Sequence, residues 1–518
     1  MRSRLWQPPI EPSESERAVL KRIKKAKLFV FLREHRHEIF TPEFQEELAS
    51  IHKDSGLGQP PIPPAQLALA VILQAYTGVS DDEAIEATVM DRRWQLVLDC
   101  LDCEEPPFSK GTLVGFRQAL IEHDLDARLV DRTVEVAEQK GGFGGRKLRA
   151  ALDSSPLWGA GRVEDTLNLL GHALRKALGV IARKPWRELA EVATEAGAEL
   201  VAGTSLKAAL DLDWDDPKQR QGALVRVLDT LETVETYLDG ATTEAKACVE
   251  AARQIESQDV EVQDGVKVLR RGVARDRRIS VEDAEMRHGR KSRSTLIDGY
   301  KRHVLRDLDS GLVPAVGVTP ANVPEAVVTD AIESDLHRQG FELGQLHIDR
   351  GYLSSKLVRE RPGELEVYCK AWAVRNGEHF PKTEFALDWE RHQIRCPAGV
   401  KLSFEPGGTV RFPTNTCRAC PLRERCTSSK RGRSVSIHPD EKLLEELRRR
   451  QLTPSGRQKL RERVGVEHSL AHIGQWQGDK GRYIGTRKNL FDLRRSAVVH
   501  NLHAIARLPH TPAQPLAA

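Results

Sequence analysis

Apolar and polar positions alternate with a period of two in two short stretches of this chain, and both alternations run into an aspartate. In QLHIDRGYL, residues 345 to 353, Leu346 and Ile348 alternate with Gln345 and His347. That pattern predicts a strand with Asp349 at its C-terminal edge and Gly351 in the turn that follows. KLRAALDSSPLWG repeats it: Leu148, Ala150 and Leu152 lead into Asp153, which predicts a second strand ending on an aspartate. Strand ends in open α/β sheets are where ligands and reactive groups gather, although Asp-Arg-Gly is also ordinary turn chemistry.

The first 145 residues carry a helical period instead. AQLALAVILQAY (65 to 76) is apolar nearly all round, Gly78 follows it, Ser80 with Glu83 reads as a capping box, and another helix begins near Thr112. Short helices joined by tight turns suit a helix-turn-helix-like DNA-binding module and equally a bundle that only packs. EQKGGFGGRK (138 to 147) reads as a flexible joint. Strand patterns return in LIDGYKRHVLRD and GLVPAVGVTP (296 to 320), after a helical insert at about 166 to 265 and before a helix from Pro324 to about Gln339. The predicted organisation is a helical N-terminal part, 1–145; an α/β core, 146–350, holding the insert; a cysteine-bearing insert, 351–455; the rest of the core, 456–508; and a disordered tail, 509–518.

A third carboxylate stands out in KLRERVGVEHSLAH. Plotted at 100° per residue, Leu460, Val464, Glu467 and Ala471 share one stripe, which predicts a glutamate on an apolar helix face. Burying a carboxylate is costly unless it is paired or bound to a metal. Arg463, one turn earlier, is the simplest partner. Two strand-end aspartates and an inward glutamate also make a set of hard oxygen ligands suited to Mg²⁺ or Mn²⁺. Two such ions about 4 Å apart can drive phosphodiester displacement.

Charge sharpens this. The formal net charge of +4 hides two basic stretches. Arg270 to Arg306 holds twelve Lys/Arg against five Asp/Glu, and Lys480 to Arg495 holds six against one. Such clustering is the footprint of a phosphate-backbone binder, with His288, Arg290 and Lys291 as candidate contacts, and solvated basic surface produces it too. Asp283 and Glu285, just before that loop, are expected to be structural, and Asn322 is expected to form a turn. At 5% aromatic content no base-stacking platform is evident, and Trp158 and Trp476 are expected to pack in the core. Long uncharged apolar runs are missing, as is a signal-like N-terminus, so the expectation is a cytoplasmic protein with no membrane partner.

Eight cysteines in such a chain argue against a disulfide framework. Cys396, Cys417, Cys420 and Cys426 have the spacing of a Cys₄ site, for which Zn²⁺ is the expected structural ion, with an iron–sulfur cluster or no metal as alternatives. Cys100 and Cys103 are expected to pack at a helix end, and Cys248 and Cys369 to be buried thiols.

Taken together, LDSSPLWGAG, DGYKRHVLRDLDSGLVPAVGVTPANVPE, HIDRGY and RERVGVEHSLAHIGQWQGDKGRYIGTRKNLFDLRRSAVVHNL resemble the DDE transposases of bacterial insertion sequences. The resemblance implies an RNase H-like catalytic core with a long helical insert and a cysteine-bearing insert, preceded by an all-α domain. It also implies Asp153, Asp349 and Glu467 as the catalytic, metal-holding triad, with Arg463 as the arginine that precedes the glutamate. Relatives often have a tyrosine and a lysine where this chain has Leu460 and Gly474, and Lys480 is the expected substitute for that lysine as a DNA contact. The implied activity is cleavage and strand transfer on double-stranded element ends and target DNA, with two Mg²⁺ or Mn²⁺ ions, by a homodimer on paired ends. An inactive DNA-binding remnant and an RNase H-like nuclease that does not join are the alternatives.

Overall fold

The computed structural model describes residues 5–51, 60–141, 143–144, 146–183, 186–238, 242–291 and 294–508; the predicted tail at 509–518 lies outside these residues. The chain is a mixed α/β structure that opens with helices from Glu14–Arg22 to Leu125–Gln139. The Pro64–Thr77 helix buries every residue from Pro64 to Ala75, as its all-round apolar surface predicts, and stops at Gly78 with φ +75°. Ser80 and Glu83 form the expected capping box on Asp81–Met90: the Glu83 amide donates to Ser80 Oγ and the Ser80 amide to Glu83 Oε2.

Strand β1 (Leu148–Trp158) follows, then a helical stretch including Thr166–Arg183, Pro217–Tyr237 and Thr243–Asp259, and the hairpin β2 (Val260–Gln263) and β3 (Val266–Leu269). Next come β4 (Arg287–Arg290), β5 (Leu296–Asp307), β6 (Ala315–Pro320), the helix Thr329–Arg338, β7 (Leu343–Ile348) and β8 (Glu366–Tyr368). Small antiparallel sheets form from β9 (Ala386–Asp388), β10 (Gln393–Arg395) and β11 (Lys401–Ser403), and from β12 (Thr409–Arg411) and β13 (Ser434–Ser436). Four helices close the described chain: Glu441–Leu452, Pro454–Glu462, Val464–Gln477 and Thr486–Ile505.

The main sheet has the order β4-β5-β1-β7-β8, with β6 also on β5. Strand β5 runs antiparallel to β1, β4 and β6, whereas β1, β7 and β8 are mutually parallel. At Gly299 (φ +149°) β5 passes so close to the end of β1 that a Cβ would lie 2.2 Å from the Gly159 amide nitrogen, so only glycine fits.

One sheet face carries Leu148, Leu152, Leu346 and Ile348 into a core shared with the N-terminal helices and with Phe491, Val498 and Leu502 of the Thr486–Ile505 helix. The opposite face presents Ala151, Val304 and Val316 to Val466, Leu470 and Ile473, which lays the Val464–Gln477 helix across β1 and β5. The helices between β1 and β2 bury a cluster of their own, and so does the region around Phe385, Ile394, Phe412 and Val435. Among the described residues no helix is long and apolar enough to cross a membrane.

Two sequence expectations change here. Strand β1 does not end at Asp153: it continues to Trp158 because β5 stays paired with it through Trp158↔Gly299. Alternation stops at Asp153 because β7, the neighbour on the other side, ends there. The single helix read through KLRERVGVEHSLAH is broken at Arg463 into two, so one 100° plot across the break mixes two faces.

Candidate active site

Pairing of β1 with β7 ends at Leu152↔Ile348, so the next residues, Asp153 and Asp349, leave the last shared rung side by side. Each carboxylate is fixed by a backbone amide. The Ser154 amide donates to Asp153 Oδ1 at 2.8 Å, and the Gly351 amide donates to Asp349 Oδ1 at 2.6 Å, capping the turn Arg350–Tyr352.

The helix break at Arg463 brings the third predicted residue to them. Arg463 Nη1 donates to Asp153 Oδ2, and Nη2 donates to Glu467 Oε1 at 2.9 Å, so one guanidinium joins residues from β1 and the Val464–Gln477 helix. Glu467 is not on a buried apolar face. Its side chain is 50% exposed, and the buried stripe is Val466, Ser469, Leu470 and Ile473; Glu467 and Ala471 line an open cleft, and Val464 is exposed. Asp153 is the more enclosed carboxylate. Burial raises its pKa, Arg463 opposes that shift, and the charges of Asp349 and Glu467 add to it.

Sequence reasoning missed a fourth carboxylate. Glu325 opens the helical turn Glu325–Val328 after β6, and its Oε1 accepts a 2.5 Å hydrogen bond from the Ser154 hydroxyl. A glutamate following Pro324 at a helix start reads as ordinary N-terminal charge, which hid it.

Asp153, Glu325, Asp349 and Glu467 all line one cleft of about 890 Å³, with Arg290, Lys291, Lys301, Arg302 and Arg463 along it. His288 is not in that cleft. It lines the adjoining groove with Arg275, Arg287 and Asn322, and its Nδ1 is 2.6 Å from Asp298 Oδ1. Lys480 is exposed beside the cleft, where the backbone at 479–481 is pinned to Trp158: the Trp158 amide donates to Asp479 O and the Gly481 amide to Trp158 O. Trp158 itself is 41% exposed, against the core role expected of it, whereas Trp476 is partly buried against the core. At Gly474, where the resemblance has a lysine, an added Cβ would lie 3.0 Å from Arg302 Nη2, so the Arg302 guanidinium fills that space. Asp283 is structural, as expected: fully buried, it accepts from the Tyr300 hydroxyl at 2.6 Å.

Cys396, Cys417, Cys420 and Cys426 line a single cavity of about 210 Å³ between the small sheets. Burial raises the Cys426 thiol, and the other three cysteines add to that shift. Cys248 and Cys369 are buried, while Cys100 and Cys103 are half-buried near the end of Arg92–Leu98. Among the described residues, no three His, Cys, Asp or Glu groups are set so as to hold a metal ion as they stand. Donor chemistry nonetheless suits one in both places: hard oxygens around the cleft and thiols around the cavity. In the cleft Asp153, Glu325, Asp349 and Glu467 each accept a hydrogen bond from a protein donor on at least one oxygen.

Residues 395–506 match the family model described as a transposase DDE domain, and residues 18–119 match that of a transposase domain, DUF772. The first match takes in Arg463 and Glu467; Asp153 and Asp349 lie between the two. No curated protein and no solved structure matches the chain. Both matching families are transposase families, and on them the likeness of this chain to the DDE transposases of insertion sequences stands.

Proposed function

We propose that this protein is an insertion-sequence transposase that binds the inverted-repeat ends of its element, cuts a phosphodiester at each end and joins the freed 3′-hydroxyl to target DNA. The observation that carries the reading is the end of the β1/β7 ladder, which leaves Asp153 and Asp349 adjacent, with Asp153 held by the arginine that also holds Glu467. The strand arrangement supports an RNase H-like core, since β1, β7 and β8 are parallel and β5 between β1 and β6 runs against both.

Asp153, Asp349 and Glu467 would hold two Mg²⁺ or Mn²⁺ ions. Bound there, the ions supply activation of a water or 3′-hydroxyl and stabilisation of the leaving oxygen. The chain's own residues do the rest. Amide bonds from Ser154 and Gly351 orient the two aspartates, and Arg463 offsets charge between Asp153 and Glu467 until a phosphate takes the guanidinium. Arg290, Lys291 and Lys301, with His288 in the adjoining groove and Lys480 at the rim, are suited to the DNA backbone. The four patterned cysteines would hold a structural Zn²⁺, and the helical N-terminal part would read element ends. A homodimer on paired ends, acting on DNA in the cytoplasm, completes the reading.

The test is cleavage and joining of labelled element-end DNA with Mg²⁺ or Mn²⁺, comparing the native protein with Asp349→Ala. We expect the native protein to cut and join, and the variant to bind the same DNA without doing either. Binding by both with reaction by neither would leave a DNA-binding protein without catalysis, and cutting without joining would leave a nuclease.

A further inference from the structure

We propose that Glu325 is a fourth carboxylate of the same site, sharing a divalent cation with Asp349; this rests on the metal-dependent reading above. The two side chains meet over Gly351. A Cβ built on that glycine would lie 2.0 Å from Glu325 Oε2 and 3.0 Å from Asp349 Oδ1. The two oxygens are therefore no more than about 5 Å apart, a gap that small side-chain shifts bring within the reach of one ion with oxygen ligands at about 2.1 Å.

Charge points the same way. Asp153 and Glu467 share Arg463, but among the described residues neither Glu325 nor Asp349 has a cationic partner within ion-pair distance. Two carboxylates facing each other in a partly buried cleft repel, and a cation between them removes that cost.

Glu325 is also held from behind. Its Oε1 takes the Ser154 hydroxyl, and Ser154 interacts with the hydroxyl of Tyr352, a fully buried side chain. Tyr352 Oη is 2.8 Å from His303 Nδ1, and His303 Nε2 is 2.9 Å from Thr319 Oγ1. Burial pushes His303 down to about 3, so its ring is neutral and offers one donor and one acceptor. Thr319, His303 and Tyr352 form a buried hydrogen-bonded line that ends beside Ser154, and Ser154 donates to Glu325. Backed by that line, Ser154 holds one Glu325 oxygen and leaves the other over Gly351, toward Asp349. Ser154 is thus a positioning residue for Glu325.

Mn²⁺ binding to the full chain, read as loss of the free-ion signal by electron paramagnetic resonance, tests this without reference to activity. Native protein, Glu325→Gln, Glu325→Asp, Ser154→Ala and Asp349→Ala are compared, with circular dichroism verifying the fold of each. We expect Glu325→Gln to weaken Mn²⁺ binding by about tenfold or more, Ser154→Ala to weaken it less, and Glu325→Asp to recover part of the loss. Native affinity in Glu325→Gln together with loss in Asp349→Ala overturns the role of Glu325 and leaves the site reading intact. Native affinity in both variants overturns the site reading itself and the proposal with it.

Discussion

Arg463 is the residue on which the resting geometry of the cleft turns. Its guanidinium offsets two carboxylates that would otherwise repel, yet it stands where a divalent ion would meet the same oxygens. Removing it has opposite effects on two measurable quantities. In Arg463→Ala the cleft loses a positive charge, so Mn²⁺ binding at pH 8 should become tighter, by a factor of about three to ten if the arginine is worth about 1 kcal/mol of repulsion at a half-exposed site. Cleavage of element-end DNA should fall in the same variant, since the guanidinium is the donor best placed for a phosphate. Calorimetry of Mn²⁺ binding decides the first half, and weaker binding would mean that Arg463 orients the ligands rather than competing with the ion. Sequence pattern showed the Arg463–Glu467 spacing but not the bond to Asp153, 310 residues away, because no local period links positions so far apart.

At the scale of elements, regular patterns were legible where one neighbour determined them. The all-round apolar helix Pro64–Thr77, the capping box at Ser80 and the strand β7 are each found, although in β7 His347 is buried between Leu346 and Ile348 instead of alternating with them. Strand β1 escaped in part because its second half, SSPLW, is held by the β5 ladder and carries polar residues that face the cleft. The helical stretch after β1 is fastened by a contact that the sequence did not suggest. His172, on Thr166–Arg183, puts Nδ1 2.7 Å from Glu164 and Nε2 2.7 Å from Glu282. The hydrogen bond to Glu282, then that to Glu164, raises His172 above its ordinary 6.5 against the effect of burial. Burial alone would raise Glu282, but His172 outweighs it and brings that carboxyl down to about 2. The sign follows for each group. The histidine's contribution is fully present below its ordinary value and is lost as pH rises through the elevated one; the glutamate's is present above its ordinary 4.5 and is lost as pH falls through about 2. The thermal midpoint should therefore fall between about pH 6 and pH 9 by more in the native protein than in His172→Gln, which lacks the titrating partner. Parallel profiles for the two proteins would remove the contact from the account of how this stretch is held.

For the whole molecule, charge is arranged so that acidic and basic groups do different work in one place. Five carboxylates, Asp479 among them, and five cations line the same cleft, although the net charge of the chain is only +4. Clusters of Lys and Arg could be counted in the sequence, but which of them face the cleft could not. His288, grouped with Arg290 and Lys291 by position, turns to Asp298 and a neighbouring groove, while Arg302 and Lys301 come from the middle of β5. Glu325 was invisible for the same reason, since its partners Ser154 and Gly351 lie on other elements. Of the cations, Arg302 is 4% exposed and bonded to Ser155, Gln477 and Gly478, so it shapes the wall, whereas Lys291 is exposed and suited to a backbone phosphate. A lysine used in that way adds affinity without regard to sequence and releases one counterion when it binds. The affinity of the full chain for element-end DNA should fall linearly with salt on logarithmic axes, and Lys291→Ala should reduce the slope by about 1. The same substitution should weaken binding to unrelated DNA by an equal factor. An unchanged slope would take Lys291 off the DNA path, and a loss confined to the element end would make it a reader of sequence instead of a backbone contact.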